Sequence, residues 1–168
     1  EIEGTSDPQR WFMLGHIQRI RLDKEASVEA FAKCYELLPE WIDAVFEFAC
    51  ALQDVGRHQE ALPHFEQVAA QASSLAIVCQ KYAYSLKSVG RYEEALGLYE
   101  AALAIDSEAA EVWSDLGATY LAWGRPVAAV QAFRMAVRLE PSHPGLWYNL
   151  ASAALRNEEL VLALDAFR

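Results

Sequence analysis

Apolar residues recur along this chain three and four places apart, in short blocks separated by polar breaks, which is the spacing of helices that bury one face. No segment alternates apolar and polar residues in the manner of a strand. Set against itself at an offset of 34, the pattern returns. Trp11, Val45, Cys79, Trp113 and Trp147 fall in one column, and Leu14, Phe48, Tyr82, Leu116 and Leu150 in another three places on. Gly15, Ala49, Ala83, Gly117 and Ala151 make a small-residue column. Ser27, Ala61, Ala95, Ala129 and Ala163 make a second, followed by the aromatics Phe31, Phe65, Tyr99, Phe133 and Phe167.

Each unit therefore predicts two helices and a tight reversal. The reversal falls at Gly56-Arg57, Gly90-Arg91 and Gly124-Arg125, where glycine can take the left-handed conformation that ends the first helix. Pro126 suits the first turn of the helix that follows, and the second helices end near Pro39 and Pro141, with Ser73 and Ser107 in the equivalent places. Helices of one hairpin approach to about 8–10 Å only where facing residues are short, so the first small column predicts that each partner aromatic lies against backbone. Pro63, about a turn inside its helix, predicts a local kink.

Trp113, Leu116, Gly117, Tyr120, Gly124, Ala129, Phe133, Ala136 and Pro141 resemble the signature of the tetratricopeptide repeat (TPR) family, whose period is also 34. The resemblance covers residues 8–168, after a leader at 1–7, as one array with units at 8–41, 42–75, 76–109, 110–143 and an incomplete 144–168. The first unit departs most: Leu22 stands at the turn glycine, Ser27 at the small alanine and Gln18 at the tyrosine. The implied fold is all-α, an α-solenoid (right-handed superhelix) of antiparallel helix-turn-helix TPR hairpins, with the first helix of each hairpin lining a concave face.

By spacing, the residues one, two and five places beyond the first column line that face. They are Phe12, Met13 and His16; Phe46, Glu47 and Cys50; Gln80, Lys81 and Tyr84; Ser114, Asp115 and Ala118; Tyr148, Asn149 and Ser152, with Asp43 and Glu111 nearby. The set mixes aromatic anchors with carboxylate acceptors, which suits a peptide or helix. Two family variants are not matched. The lysine and asparagine of the chaperone-tail clamp would stand where Phe12 and His16 are, and the asparagine ladder of the sugar transferases would fill Met13, Glu47, Lys81, Asp115 and Asn149.

Charge refines the expected partner. Fourteen Lys and Arg against 24 Asp and Glu leave a net charge of −10, which repels nucleic acid and favours basic, partly apolar protein partners. With 54% hydrophobic residues a packed core is expected, yet no run of about 18 apolar residues predicts a membrane span. Cys34, Cys50 and Cys79 form no CxxC pair, which points to reduced thiols and the cytoplasm.

Catalytic and metal chemistry find little footing. Cys50 and His16 share a groove place on successive hairpins, but nothing supplies an oxyanion hole, and groove lining is the simpler role. His58 and His64, or Glu60 and His64, do not have zinc spacing, and Leu14-Gly15 and Leu116-Gly117 serve packing rather than phosphate binding. No cofactor is expected. The expected function is a non-catalytic interaction scaffold that holds a peptide or helix in its concave groove. The alternative is the substrate-presenting repeat region of a larger glycosyltransferase, sulfotransferase or methyltransferase, because the sequence stops at Arg168 inside a helix-patterned segment and reads as a piece of a longer protein. The same open hairpin could support self-association.

Overall fold

First helices begin at Pro8, Ile42, Ala76, Ala110 and Pro144, each 34 residues after the last. In a computed structural model of the chain, the described residues are 6–72 and 75–166, and among them are ten α-helices and no strand. The helices fall into two compact units, Glu1–Ser73 and Ser74–Arg168. Unit 1 holds α1 (Pro8–Ile20), α2 (Lys24–Leu37), α3 (Ile42–Asp54) and α4 (His58–Ala72). Unit 2 holds α5 (Ala76–Ser88), α6 (Tyr92–Ile105), α7 (Ala110–Ala122), α8 (Pro126–Leu139), α9 (Pro144–Arg156) and α10 (Leu160–Ala166). Within each unit every helix packs on its sequence neighbours.

All five hairpins reverse in the same way. Arg57, Arg91 and Arg125 donate their backbone N–H to Leu52, Leu86 and Tyr120 at 2.8, 2.9 and 2.8 Å, closing the first helix as a left-handed residue turns the chain. Asp23 and Glu159 make the same bond to Gln18 and Ala154, at 3.0 and 2.9 Å. The residue before the donor is left-handed each time: Gly56, Gly90 and Gly124 at φ 79°, 84° and 77°, but Leu22 at 63° and Glu158 at 61°. A side chain in that conformation costs about 1–2 kcal/mol, whereas glycine costs about 0.5–1 kcal/mol in lost chain entropy. Leu22 is 81% exposed, so shortening it gives up little burial. Leu22→Gly and Glu158→Gly are each expected to raise stability by about 0.5–1 kcal/mol, read as a higher denaturant midpoint at unchanged slope; a lower midpoint would contradict the strain.

The aromatic column forms the core. Phe31 and Phe65 in unit 1, and Tyr99 and Phe133 in unit 2, are at most 1% exposed. A β-carbon at Gly15 would stand 2.7 Å from the Phe31 ring, and one at Gly117 2.9 Å from Phe133, so these glycines are what lets each ring reach backbone. Ser27 keeps its hydroxyl in the buried column by donating to the Gly15 carbonyl at 2.9 Å. In unit 2 the core continues through Val130, Leu146 and Leu150 to Ala163. Trp113 and Trp147 donate their indole N–H to the Ser107 and Pro141 carbonyls at 3.0 and 2.8 Å, tying α7 and α9 to the segments that precede them.

α4 runs as one α-helix through Pro63. On α10, Leu160, Val161 and Leu164 are exposed, although Leu96 and Val130, at the places of Leu164 in α6 and α8, are buried. Phe167 and Ser73 lie outside the described residues.

Candidate peptide-binding groove

Unit 1 contributes α1 and α3. Apolar contact and burial draw most of their expected groove residues into the unit itself. Phe12 stacks on Trp41 at 4.6 Å and meets Phe31 edge-on at 5.8 Å, and His16 lies between Phe12 and Phe31 at 4.7 and 5.2 Å. Phe46 faces Phe65 at 6.2 Å. Glu47 accepts from Arg19 Nη1 at 2.6 Å, and the same guanidinium lies 5.2 Å from the centre of the Phe31 ring. Cys50 is half-buried. Met13 and Asp43 remain exposed.

Unit 2 contributes α5, α7 and α9, and polar pairs between successive first helices tie its floor together. Gln80, only 9% exposed, donates from Nε2 to Asp115 Oδ2 at 3.1 Å. Asn149 Nδ2 donates to Ser114 Oγ at 3.3 Å, the same step one helix further on. Thr119 Oγ1 donates to the Asp115 carbonyl at 2.7 Å. Above these pairs stand Tyr84 and Tyr148, 39% and 63% exposed, and the exposed Glu111, with Lys81 and Ser152 half-buried.

The electrostatics of this floor are uneven. Burial pushes the Asp115 carboxyl above its ordinary pKa, with the Gln80 amide and Lys87 partly offsetting it and Glu111 adding to it. Burial pulls the Lys87 ammonium below its ordinary pKa, and its Nζ sits 4.3 Å from the centre of the Tyr84 ring. Burial also drives the Tyr99 phenol strongly upward, with the Asp115 charge reinforcing it. The Thr119 side chain lies beside the Tyr99 hydroxyl and partly offsets that push. At the α7/α9 end the floor opens into a cavity of about 340 Å³ bordered by Glu111, Asp115, Glu140, His143, Tyr148 and Asn149.

Lys87, Tyr99, Glu140 and His143 are additions that the groove columns did not contain. Lys87 is three places beyond the groove place of Tyr84, and Tyr99 sits on a second helix. Glu140 and His143 belong to the α8–α9 connection, and a column rule drawn on first helices passes over all of them.

The Cys34 and Cys79 thiols are buried and pushed upward by that burial, away from the reactive thiolate. No group of three or more His, Cys, Asp or Glu among the described residues could hold a metal ion. Among the same residues no helix is long and apolar enough to cross a membrane.

Comparison with known proteins agrees with the helical-hairpin fold. A TPR repeat family model matches residues 83–124 and a tetratricopeptide repeat model matches residues 124–168, together 86 of the 168 residues. No curated protein matches the sequence. Among solved structures, MamA from Desulfovibrio magneticus RS-1 superposes with a TM-score of 0.86 at 18% identity, covering 95% of this chain and 90% of that one. PilF of Pseudomonas aeruginosa gives 0.77 at 25% identity, over 95% of this chain and 74% of its own. YrrB, described as a TPR protein with an unusual peptide-binding site, gives 0.79 at 18% identity, over 94% and 77%. The chain belongs to the tetratricopeptide-repeat family, and its helical hairpins form a protein-interaction scaffold.

Proposed function

We propose that this scaffold binds a peptide segment of a partner protein across the floor formed by α5, α7 and α9, and does no chemistry of its own. The observation that carries this reading is the division of labour on that floor. Gln80 bonds to Asp115 and Asn149 to Ser114 across successive helices, while Tyr84 and Tyr148 remain exposed above them beside the exposed Glu111. Large amphipathic rings on a pre-formed floor give contact area with little side-chain ordering, and aromatic anchors of this type dominate peptide interfaces. The carboxylates and the net charge of −10 favour a segment with basic and apolar residues.

Tyr84→Ala/Tyr148→Ala is the variant that tests this. It spares Phe46 and Glu47, whose contacts with Phe65 and Arg19 help hold unit 1 together. Affinity capture from cells that carry the protein should lose the partners seen with the native chain, while the helical circular dichroism stays unchanged. A folded variant that retains every partner would remove α5, α7 and α9 as the binding floor.

A further inference from the structure

The cavity between α7 and α9 is lined by negative charge, with no cationic side chain on its border among the described residues. Three carboxylates, Glu111, Asp115 and Glu140, border it, and no lysine or arginine does. Glu111 and Glu140 are exposed and make no ion pair among the described residues. Asp115 uses Oδ2 to accept from Gln80, which leaves Oδ1 without a donor. Lys81 and Lys87 act on Asp115 from α5, yet neither borders the cavity, and Lys87 is drawn over the Tyr84 ring. Behind the floor the wholly buried Tyr99 lies within electrostatic reach of Asp115 and Glu111, whose charges add to the upward push on its phenol. The first turns of α7 and α9 contribute roughly half a positive charge each, less than the three carboxylates carry. His143 Nδ1 accepts the Gly145 N–H at 3.1 Å and caps α9.

We propose that this cavity receives the guanidinium of an arginine side chain in the bound peptide. The inference rests on the groove reading above and names one subsite of it. A guanidinium presents a planar fork of donors that two carboxylates can accept side by side, and its face stacks on an exposed ring, which Tyr148 supplies at 63% exposure. Asn149 spends its amide nitrogen on Ser114, so its oxygen is left to accept. The volume of about 340 Å³ is at the low end of small-ligand pockets and suits a single long side chain. An arriving cation would also relieve the half-buried Asp115 of the energetic disadvantage of its charge.

The probe is the tripeptide acetyl-Gly-Arg-Gly-amide, titrated into the native chain while backbone amide resonances are followed by NMR. Saturable shifts are expected at Ser114, Gly145, Tyr148 and Asn149. Glu111→Gln/Glu140→Gln should weaken them at least about tenfold, and a citrulline tripeptide, which keeps the shape without the charge, should give none. Absence of a saturable shift, an equal response to the citrulline or lysine tripeptide, or an undiminished response in the double variant would overturn the assignment. Partner capture separates the two readings. If Tyr84→Ala/Tyr148→Ala loses the partners and Glu111→Gln/Glu140→Gln keeps them, the floor stands and the arginine subsite falls. If both variants keep every partner the floor falls, and the tripeptide still decides the cavity.

Discussion

Phe133→Ala should destabilise unit 2 by about 3–5 kcal/mol. The ring is 1% exposed and lies against the backbone of Gly117, whose missing β-carbon made room for it. Its other surroundings in α8 are short: Ala129 and Ala136 are fully buried and have no side-chain length with which to fill a void. The lost transfer free energy and the cavity left behind therefore add, with little relaxation to offset them. Because hairpins in a repeat array contact mainly their neighbours, protection from hydrogen exchange should fall first in α7 and α8 and next in α6 and α9. A loss under about 1 kcal/mol in denaturant unfolding would mean that the hairpin closes over the gap and that the aromatic column is less decisive than its burial indicates.

Pro63→Ala should act in the opposite sense, raising the stability of unit 1 by about 1–3 kcal/mol. Proline there removes the amide that would bond to the Gln59 carbonyl and crowds it with the ring, and interior proline costs roughly 3 kcal/mol relative to alanine. The side chain is exposed and packs little, while α4 already runs as helix through the position, so alanine needs no rearrangement. Thermal unfolding measures the gain directly. If the midpoint falls instead, the proline ring has a packing role in unit 1 that its exposure conceals.

The hairpins were legible in the sequence because burial enforces a residue size at each place. Phe31, Phe65, Tyr99 and Phe133 could be read as core from their spacing alone, and Gly15 and Gly117 as the residues that let the rings approach. The turns were legible only where glycine marked them. Leu22 and Glu158 adopt the same left-handed conformation, but since a leucine or glutamate there is held by the five hydrogen-bonded reversals rather than by its own preference, composition gives no warning.

The groove was legible as a set of places and not as a set of available groups. Spacing puts Gln80, Ser114, Asp115 and Asn149 on one floor, but whether a side chain there meets a ligand depends on the residue 35 places away on the adjacent first helix, one more than the repeat. Phe12 and Glu47 illustrate the same point in unit 1: Trp41 and Arg19, which occupy them, lie outside the groove columns. Glu140 and His143 reach the cavity from a connection whose path a helical period does not describe.

Trp113 and Trp147 give the array built-in optical reporters. Each indole proton is held by a carbonyl of the segment preceding its own helix, so opening the α6–α7 or α8–α9 junction would release that bond and hydrate the ring even while each hairpin stayed helical. Emission from these two indoles would therefore follow the parting of neighbouring hairpins, and far-ultraviolet dichroism the melting of the hairpins themselves, so that cooperativity between repeats can be read from the gap between the two curves.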